Sequence, residues 1–383
     1  MALRALRRLR PRGGLSGKWP VAGWWGVGRE YGGVRLRIAV TGASGFLGRL
    51  LAGALLKRKV FAGEPVTRLV LVDRVAWPDP RSTADPLVEV VQGDVVDRLT
   101  EVFAEPVDVV FHLAAAVSAE CEADFDLGMR VNLDTTRAVL QAARAQSVAG
   151  GPVARVVFAS SLAVYGTRPT PGPAPVISET TLPTPQSSYG TQKLMCEHLI
   201  ADMTRRGFVD GRIARLMTVA VRPGRPNAAA SGFVSAVIRE PLAGRPAVCP
   251  VDPGLQVALS SPRRTVQGIL RIAEAELGTG PGRLDGAMPV NLPALTVSVA
   301  EMLATLRELA GDPIADLVTL APDPAVEAVV GSWPALFDNR RAAGLGLRPD
   351  PSFVSVVRDY LTDHADAVSD AVSDAVSDAV RGQ

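Results

Sequence analysis

Cysteine and histidine are scarce in this chain of 383 residues, which contains three of each. Cys121, Cys196 and Cys249 lie far apart and form no CxxC pair, so the sequence offers neither a disulfide framework nor a structural zinc site. Three scattered histidines give a metal-dependent mechanism few ligands, and we predict no metal site. No apolar run reaches the roughly 18 residues of a membrane span, so we expect no membrane association.

Positive charge is sparse outside the first residues of the chain. The first 37 residues contain nine basic residues and one acidic residue, whereas the remaining 346 contain 32 basic and 38 acidic residues. The body of the chain is therefore mildly acidic. Because phosphate backbones are bound by clustered Lys and Arg, this distribution predicts no nucleic-acid partner.

Both ends differ in composition from the rest. Residues 1–35 are basic like a transit peptide, but prolines and glycines interrupt any amphipathic helix, and we interpret them as a disordered or mis-annotated leader. Residues 363–383 repeat Asp-Ala-Val-Ser, which on a helix would align like charges at i and i+4. We predict a low-complexity tail there, and we expect no catalytic residue at either end.

The middle of the chain alternates strand-like and helix-like segments. Strands are predicted at 36–40, 68–73, 88–91, 108–111, 155–159 and 215–221, and helices at 46–59, 124–147, 189–206 and 298–310. Near-continuous apolar strands between helices are typical of a parallel sheet covered on both faces. We predict an α/β fold with a Rossmann-type doubly wound parallel sheet in residues 36–222. A smaller C-terminal substrate-binding lobe follows in residues 223–362, and a strand of that lobe returning to the sheet stays an open alternative.

A glycine-rich loop joins the first predicted strand to the first predicted helix. Gly42 permits a tight turn, Gly45 lets the backbone approach a pyrophosphate, and Gly48 allows the helix to pack closely on the sheet. The amino terminus of the helix attracts the anion. A lone loop of this kind is weak evidence, but strand, loop and helix stand here in the expected order.

An acidic residue, Asp73, ends the second predicted strand. A carboxylate at this place accepts hydrogen bonds from ribose hydroxyls and repels a 2′-phosphate, so the sequence predicts NAD rather than NADP. Asp94, just after the next strand, is a candidate contact to the adenine, with a helix cap as the alternative.

A tyrosine and a lysine stand one helical turn apart at Tyr189 and Lys193. A phenol is a poor base at neutral pH because its pKa is about 10. We expect the Lys193 charge and the positive nicotinamide to favour the phenolate. Ser161 lies at the carboxyl end of a predicted parallel strand, where such sheets bind ligands.

Together these motifs resemble the extended short-chain dehydrogenase/reductase superfamily, also called the NAD-dependent epimerase/dehydratase superfamily, over roughly residues 36–350. The resemblance implies that Tyr189 is the acid/base, that Lys193 binds the ribose and tunes Tyr189, and that Ser161 orients the substrate oxygen. Asn132 would have a supporting role. The cofactor contacts predicted in this way are Gly42, Gly45, Phe46, Leu47, Gly48, Asp73, Asp94, Leu113, Ala114, Tyr189, Lys193 and Pro223.

The residues after Ser161 bear on the reaction. Dehydratases of this superfamily place an Asp-Glu pair immediately after the catalytic hydroxyl, and this chain has Leu162 and Ala163 there. The segments 233–251 and 261–264 are most similar to the D-erythronate dehydrogenase group. The resemblance therefore implies oxidation of the C2 hydroxyl of a small sugar acid to the 2-oxo acid with NAD.

A small carboxylate substrate needs a cationic contact, and the planar fork of an arginine suits it. Arg263 is the preferred candidate, ahead of Arg239 and Arg264, because the preceding Ser-Pro should fix the backbone; a surface ion pair is the alternative for each of the three. The remaining predicted substrate contacts are Ser118, Ser161 and Asn227.

Two other functions stay open at this point. One is a nucleotide-sugar epimerase that uses transient oxidation by bound NAD, and the other is a non-catalytic dinucleotide sensor. We expect a cytoplasmic enzyme. A homodimer, formed through the helices predicted at 124–147 and 189–206 as is frequent in the superfamily, stays an open alternative.

Overall fold

The computed structural model describes residues 36–166, 174–224, 230–284 and 288–368. The predicted leader, most of the predicted tail and Asn227 lie outside the described residues. The three cysteines are buried and unpaired.

The bounds of the secondary-structure elements follow the alternating pattern of the sequence. The strands are β1 Leu36–Thr41, β2 Val60–Phe61, β3 Glu64–Asp73, β4 Val88–Gln92, β5 Val109–His112, β6 Arg155–Ser161, β7 Asp210–Leu216, β8 Thr218–Val219, β9 Ala247–Cys249, β10 Gln256–Ser260, β11 Glu276–Leu277, β12 Arg283–Leu284, β13 Val290–Asn291, β14 Leu295–Ser298 and β15 Val318–Leu320. The helices are α1 Phe46–Arg58, α2 Pro80–Thr83, α3 Val95–Val102, α4 Ser118–Ala123, α5 Phe125–Gly128, α6 Thr135–Val148, α7 Ser188–Arg205, α8 Gly232–Leu242, α9 Pro262–Glu274, α10 Val299–Ala310, α11 Asp312–Ala315, α12 Pro324–Val330, α13 Arg340–Gly344 and α14 Phe353–Asp363.

Within the described residues, eight strands form the principal sheet. Seven of them run parallel in the order β4-β3-β1-β5-β6-β7-β13, and the short β2 pairs antiparallel with β3. The chain moves outward from β1 through β3 and β4, then returns to β5 on the other side of β1. This reversal opens a crevice at the carboxyl ends of β1 and β5, which is the usual ligand site of such sheets. The predicted doubly wound fold is confirmed.

Both faces of the sheet are covered, which explains why its central strands are largely apolar. Every residue of β1 is buried. Helices α1 and α9 enclose one core with one face of the sheet, and α3, α6 and α7 enclose a second core with the other.

Two predicted elements differ from the structure. The helix expected at 124–147 is divided into α5, a π-helical turn at Met129–Asp134, and α6. The strand expected at 215–221 is also wrong as one element, because β7 ends at Leu216 and β8 belongs to another sheet. Met217 separates the two strands and is buried in a small cluster with Leu162.

The chain after β7 builds further layers around a separate core. Strands β8, β10 and β14 form a three-stranded sheet, and β9 pairs with β15. Helices α8, α10 and α14 enclose this core with them. Strand β13 leaves these layers and pairs parallel with β7. The domain boundaries drawn from the sequence at residues 222 and 362 stay a prediction.

Candidate active site

A cavity lies at the carboxyl ends of β1, β5 and β6, beneath the chain that follows β8. The residues of the β1–α1 loop, the end of β6 and the first turns of α7 contribute to its wall. The sequence-predicted residues among them are Gly42, Gly45, Phe46, Leu47, Gly48, Leu113, Ser118, Ser161, Tyr189 and Lys193. The topology thus brings together predicted residues that are up to 151 positions apart in the sequence, since Gly42 and Lys193 line the same wall.

The β1–α1 loop is shaped for close approach. Gly42 has φ +72°, and a Cβ there would lie 2.6 Å from the Ala114 backbone nitrogen. A Cβ at Gly48 would overlap the Gly42 carbonyl oxygen, so α1 packs directly on the turn. Gly45 caps α1 without a side-chain hydrogen bond, which leaves the first backbone amides of the helix for an anion. The loop therefore fits the pyrophosphate of a dinucleotide.

Asp73 is held at the end of β3 by two backbone amides. Its Oδ2 accepts from the Ser44 amide at 3.0 Å and its Oδ1 from the Val75 amide at 2.9 Å. It lines a cleft together with Asp94 and Ala114. A carboxylate fixed in this way retains lone pairs for ribose hydroxyls, so the adenosine end of NAD also fits.

Asp94 has a structural task as well as a place in the cleft. Its Oδ1 accepts from the Val96 amide at 3.0 Å and caps α3. The helix cap that the sequence offered as an alternative is therefore present, and the adenine contact stays a prediction.

Ser161, Tyr189 and Lys193 meet where β6 ends against the start of α7. The Ser161 hydroxyl hydrogen-bonds the Tyr189 phenol and lowers its pKa, and its Oγ also accepts from the Ala163 amide at 3.1 Å. The Lys193 ammonium donates to the Ala159 carbonyl oxygen at 2.9 Å and lies 5.6 Å from the centre of the Tyr189 ring. The phenol, the hydroxyl and the ammonium therefore share one corner of the cavity, where Lys193 is buried and Ser161 and Tyr189 are partly buried.

Burial sets the ionisation of this corner in the protein alone. It raises the pKa of Tyr189 to about 12, against lowering contributions from Ser161 and the Arg222 charge. Burial also lowers the pKa of Lys193 to about 8. In the protein alone the cost of desolvating a phenolate thus outweighs the neighbouring charges, and the expectation that Lys193 and the positive nicotinamide together favour the phenolate stays a prediction.

Asn132 links the cavity wall to α7. Its Oδ1 accepts from the Ala116 amide at 2.9 Å, and its Nδ2 donates to Gln192 Oε1 at 2.8 Å. Asn132 projects from the π-helical turn, whose wider backbone ring re-aims side chains relative to an α-helix.

A buried ionic network behind the site was missed from the sequence. The Arg215 guanidinium donates to both carboxylate oxygens of Glu197, at 2.9 and 2.6 Å, and the Ser160 hydroxyl donates to the same carboxylate. Arg215 also donates to the Tyr165 hydroxyl. The available signal was the spacing of Glu197, which lies one helical turn after Lys193 on the same face of α7.

Arg263 does not reach this cavity, and its predicted place there is corrected. It lies on α9, where its guanidinium pairs with Asp359 at 2.6 Å and Asp363 at 2.5 Å. These three residues border a different cavity of about 920 Å³ between α1, α9 and α14. The two carboxylates of α14 stand about 100 positions later in the sequence, which spacing alone does not reveal.

Of the remaining predicted substrate and cofactor contacts, Ser118 lies in the cavity wall and Pro223 does not. Ser118 lines the cavity and its hydroxyl accepts from the Ala230 amide at 3.1 Å. Pro223 directly follows Arg222, and it is Arg222 that lines the cavity. Arg222 was not singled out from the sequence, although its position just after the sixth predicted strand placed it at the ligand-binding edge.

Residues 38–257 match the family described as the NAD dependent epimerase/dehydratase family. The chain belongs to this family. The predicted family and the predicted use of NAD are thereby confirmed, and the contacts of the loop and of Asp73 with NAD stay predictions.

This chain aligns with two curated relatives over nearly the whole length of each relative. A D-erythronate dehydrogenase from Cupriavidus necator is 46% identical over 334 residues, which is 86% of this chain and 98% of the relative. A D-erythronate dehydrogenase from Haemophilus influenzae is 39% identical over 329 residues, which is 85% of this chain and 99% of the relative. The predicted resemblance to that group is confirmed.

A solved structure within the family bears a different description. It is that of a nucleoside-diphosphate-sugar epimerase from Agrobacterium tumefaciens, with a TM-score of 0.79 and 36% sequence identity. The alignment covers 89% of this chain and 98% of that one. The shared fold is therefore continuous from the sheet into the layers that follow it.

Proposed function

We propose that this protein oxidises the C2 hydroxyl of D-erythronate, or of a closely similar sugar acid, to the 2-oxo acid with NAD as the electron acceptor. The observation that carries the proposal is the 46% identity to a D-erythronate dehydrogenase over 98% of that enzyme. In the reaction the C2–H bond breaks with transfer of a hydride to NAD, and the hydroxyl proton leaves to the protein. The products are the 2-oxo acid, NADH and one proton.

The arrangement of the protein groups supports the following proposed roles. When bound, NAD supplies a hydride acceptor and a positive charge next to the reacting carbon. Tyr189 accepts the hydroxyl proton, and Ser161 donates a hydrogen bond to the same substrate oxygen as its carbonyl character develops. Lys193, one turn after Tyr189 on α7, donates to the Ala159 carbonyl oxygen and places its positive charge near the ring of Tyr189.

The raised pKa of Tyr189 means that the site must lower this pKa before the phenol can accept a proton at neutral pH. A group with a pKa of about 12 is almost wholly protonated at neutral pH, so proton acceptance needs additional positive charge. Arg222 already acts in that direction, and the bound cofactor adds to it. We therefore propose that Tyr189 becomes an effective base only in the complex with NAD.

Elimination chemistry has no support in the cavity. Leu162 and Ala163 stand where a dehydratase has its acid and base, and both are buried and apolar. Among the described residues that line the cavity, none is an aspartate or a glutamate. Hydride transfer needs no carboxylate, so the composition of the wall agrees with dehydrogenation.

An epimerase is the second candidate, because of the description of the Agrobacterium tumefaciens structure. Epimerisation also begins with oxidation at a Tyr/Ser/Lys site, but the hydride returns to the sugar and no NADH accumulates. The two functions therefore differ in net cofactor turnover.

The test is a screen of four- to six-carbon sugar acids for NADH formation by the purified full-length chain. We expect D-erythronate to be among the best substrates, NAD to be preferred over NADP, and Tyr189→Phe to lower kcat by about 10²- to 10⁴-fold while NAD binding is retained. Interconversion of a nucleotide sugar without net NADH would establish the epimerase instead. NAD binding without either reaction would establish the sensor.

We further propose a cytoplasmic enzyme that forms a homodimer. The unpaired state of all three cysteines agrees with a reducing compartment. Among the described residues, no helix is both long enough and apolar enough to cross a bilayer. Size-exclusion chromatography with light scattering measures the oligomeric state directly.

A further inference from the structure

The wall of the active-site cavity contains few charged side chains. Among the described residues that line it, the cationic side chains are Lys193 and Arg222, and no anionic side chain accompanies them. The Lys193 ammonium is tied to the sheet, because it donates to the Ala159 carbonyl oxygen at 2.9 Å and lies 4.6 Å from the centre of the Phe158 ring, and it is the residue proposed to bind the ribose. Arg222 is therefore the cation of this wall that is left for an anionic substrate group.

Arg222 is fixed in place by its own backbone. Its amide donates to Ser235 Oγ at 3.0 Å, and its carbonyl oxygen accepts from Arg239 Nη1 at 2.8 Å. Its side chain is oriented as well, since Nε donates to the Val219 carbonyl oxygen at 3.0 Å. A guanidinium held at both ends loses little conformational entropy when it binds a ligand.

Arg222 also lies close to the reacting group. Its charge lowers the pKa of Tyr189, and the Tyr189 phenolate in turn raises the pKa of Arg222, which burial lowers. In a 2-hydroxy acid the carboxylate is bonded directly to the carbon that carries the reacting hydroxyl. A cation that binds this carboxylate must therefore lie in the same cavity as Tyr189, which Arg222 does and Arg263 does not.

Several hydroxyl groups lie among the apolar residues of the same cavity wall. Ser118, Ser161, Thr218 and Ser231 all border the cavity with Arg222. One cation among several hydroxyls matches a short chain with one carboxylate and several hydroxyl groups, and it provides fewer contacts for a neutral polyol.

We infer that Arg222 binds the C1 carboxylate of the substrate and selects 2-hydroxy acids over neutral polyols and over amides of the same acids. This inference rests on the proposed function, since it names the residue that recognises the anionic part of that substrate. Arg222 replaces Arg263 in the role that the sequence suggested.

The experiment compares two substrates in each of four proteins. The substrates are D-erythronate and its uncharged amide, and the proteins are the wild type, Arg222→Gln, Arg222→Lys and the matched control Arg263→Gln. The measured quantity is the ratio of kcat/KM for the acid to kcat/KM for the amide. Because the effect of the Arg222 charge on Tyr189 is common to both substrates, this ratio isolates recognition of the carboxylate.

We expect Arg222→Gln to lower the ratio by about 100-fold, mainly through KM for the acid, as is typical when one partner of a buried charge pair is truncated. Arg222→Lys keeps the charge without the two-pronged geometry and should give an intermediate ratio. Arg263→Gln should leave the ratio unchanged, since Arg263 pairs with the two carboxylates of α14. Unchanged NAD binding shows that each variant is folded.

The outcomes separate the two proposals. If the wild type oxidises the acid and Arg222→Gln leaves the ratio within about threefold of the wild type, Arg222 does not bind the carboxylate and only this inference fails. If the wild type oxidises no sugar acid, the proposed function fails and this inference fails with it. If Arg222→Gln does not fold, a ratio for Arg222→Lys equal to that of the wild type overturns the inference.

Discussion

Replacing Glu197 by Gln removes the counter-charge of Arg215 at a place where water does not reach either group. Both side chains are 4% exposed. The guanidinium donates to both oxygens of the carboxylate, and Ser160 donates to it as well. In Glu197→Gln one of these oxygens becomes an amide NH₂ group. This group is a hydrogen-bond donor and would lie against the N–H or O–H donor that the oxygen had accepted from.

The expected cost follows from the burial of the pair. Removal of one partner of a buried ion pair typically costs about 3–5 kcal/mol, because the remaining charge is left without compensation. We expect Glu197→Gln to lower the free energy of unfolding by about that amount. Because Ser160 adjoins Ser161 and Glu197 lies one turn after Lys193, we also expect kcat to fall.

Two comparisons identify the uncompensated charge as the cause. The double variant Glu197→Leu with Arg215→Met removes both charges together and should lose less stability than Glu197→Gln alone. Asp202→Asn breaks an exposed pair with Arg205 on the same helix and should cost under about 0.5 kcal/mol.

The assay is urea denaturation of the wild type and the three variants, followed by far-ultraviolet circular dichroism. If Glu197→Gln were no more destabilising than Asp202→Asn, the buried Glu197–Arg215 pair would contribute no more to the free energy of unfolding than an exposed pair does. The reasoning from burial would then be refuted.

Three further predictions concern other parts of the sheet and the loop. Burial lowers the pKa of His112 to about 3, so the folded state favours the neutral imidazole. The contribution of His112 to the free energy of unfolding is therefore complete above pH 6.5 and is lost as the pH falls toward 3. At pH 5 the loss is about 2 kcal/mol. Urea denaturation at several pH values should therefore show a shallower acid limb in His112→Asn, and parallel limbs would contradict this. Gly42→Ala should weaken NAD binding and lower the thermal midpoint, because φ is +72° and the new Cβ would strike the Ala114 backbone. Gly53→Ala, in open space within α1, should instead raise stability by about 0.5–1 kcal/mol, and equal effects of the two substitutions would be unexpected. Asp73→Asn should raise KM for NAD and reduce the preference for NAD over NADP, measured as the ratio of the two kcat/KM values, whereas an unchanged ratio would exclude Asp73 from cofactor selection.

Local features of the sequence were sufficient for the sheet and the loop. The order of strand, glycine loop and helix around Gly42 is encoded within a dozen residues, as is the helical spacing of Tyr189 and Lys193. Apolar strands and amphipathic spacing likewise depend on near neighbours, so the doubly wound fold follows from them. The strand predicted at 215–221 failed because nothing local shows that the chain changes sheets at Met217.

Long-range pairing explains why other parts of the site were missed. Arg263 and Arg222 look alike as sequence, and only the position of Asp359 and Asp363 decides that Arg263 is occupied elsewhere. The raised pKa of Tyr189 likewise depends on how completely the surrounding layers exclude water, which the spacing of Tyr189 and Lys193 does not indicate.

The attachment of α7 has a consequence for how this enzyme can change. Lys193 and Glu197 bind the helix to the β6 strand end, whereas Arg222 is held from a separate stretch by Ser235 and Arg239. Substitutions of Arg222 and of the residues that hold it can therefore alter which molecules are accepted while the start of α7 keeps its place, but the charge at position 222 also acts on the Tyr189 phenol. Variants that keep a cation at this position are the starting point for redirecting the protein to new alcohols, because they preserve that effect.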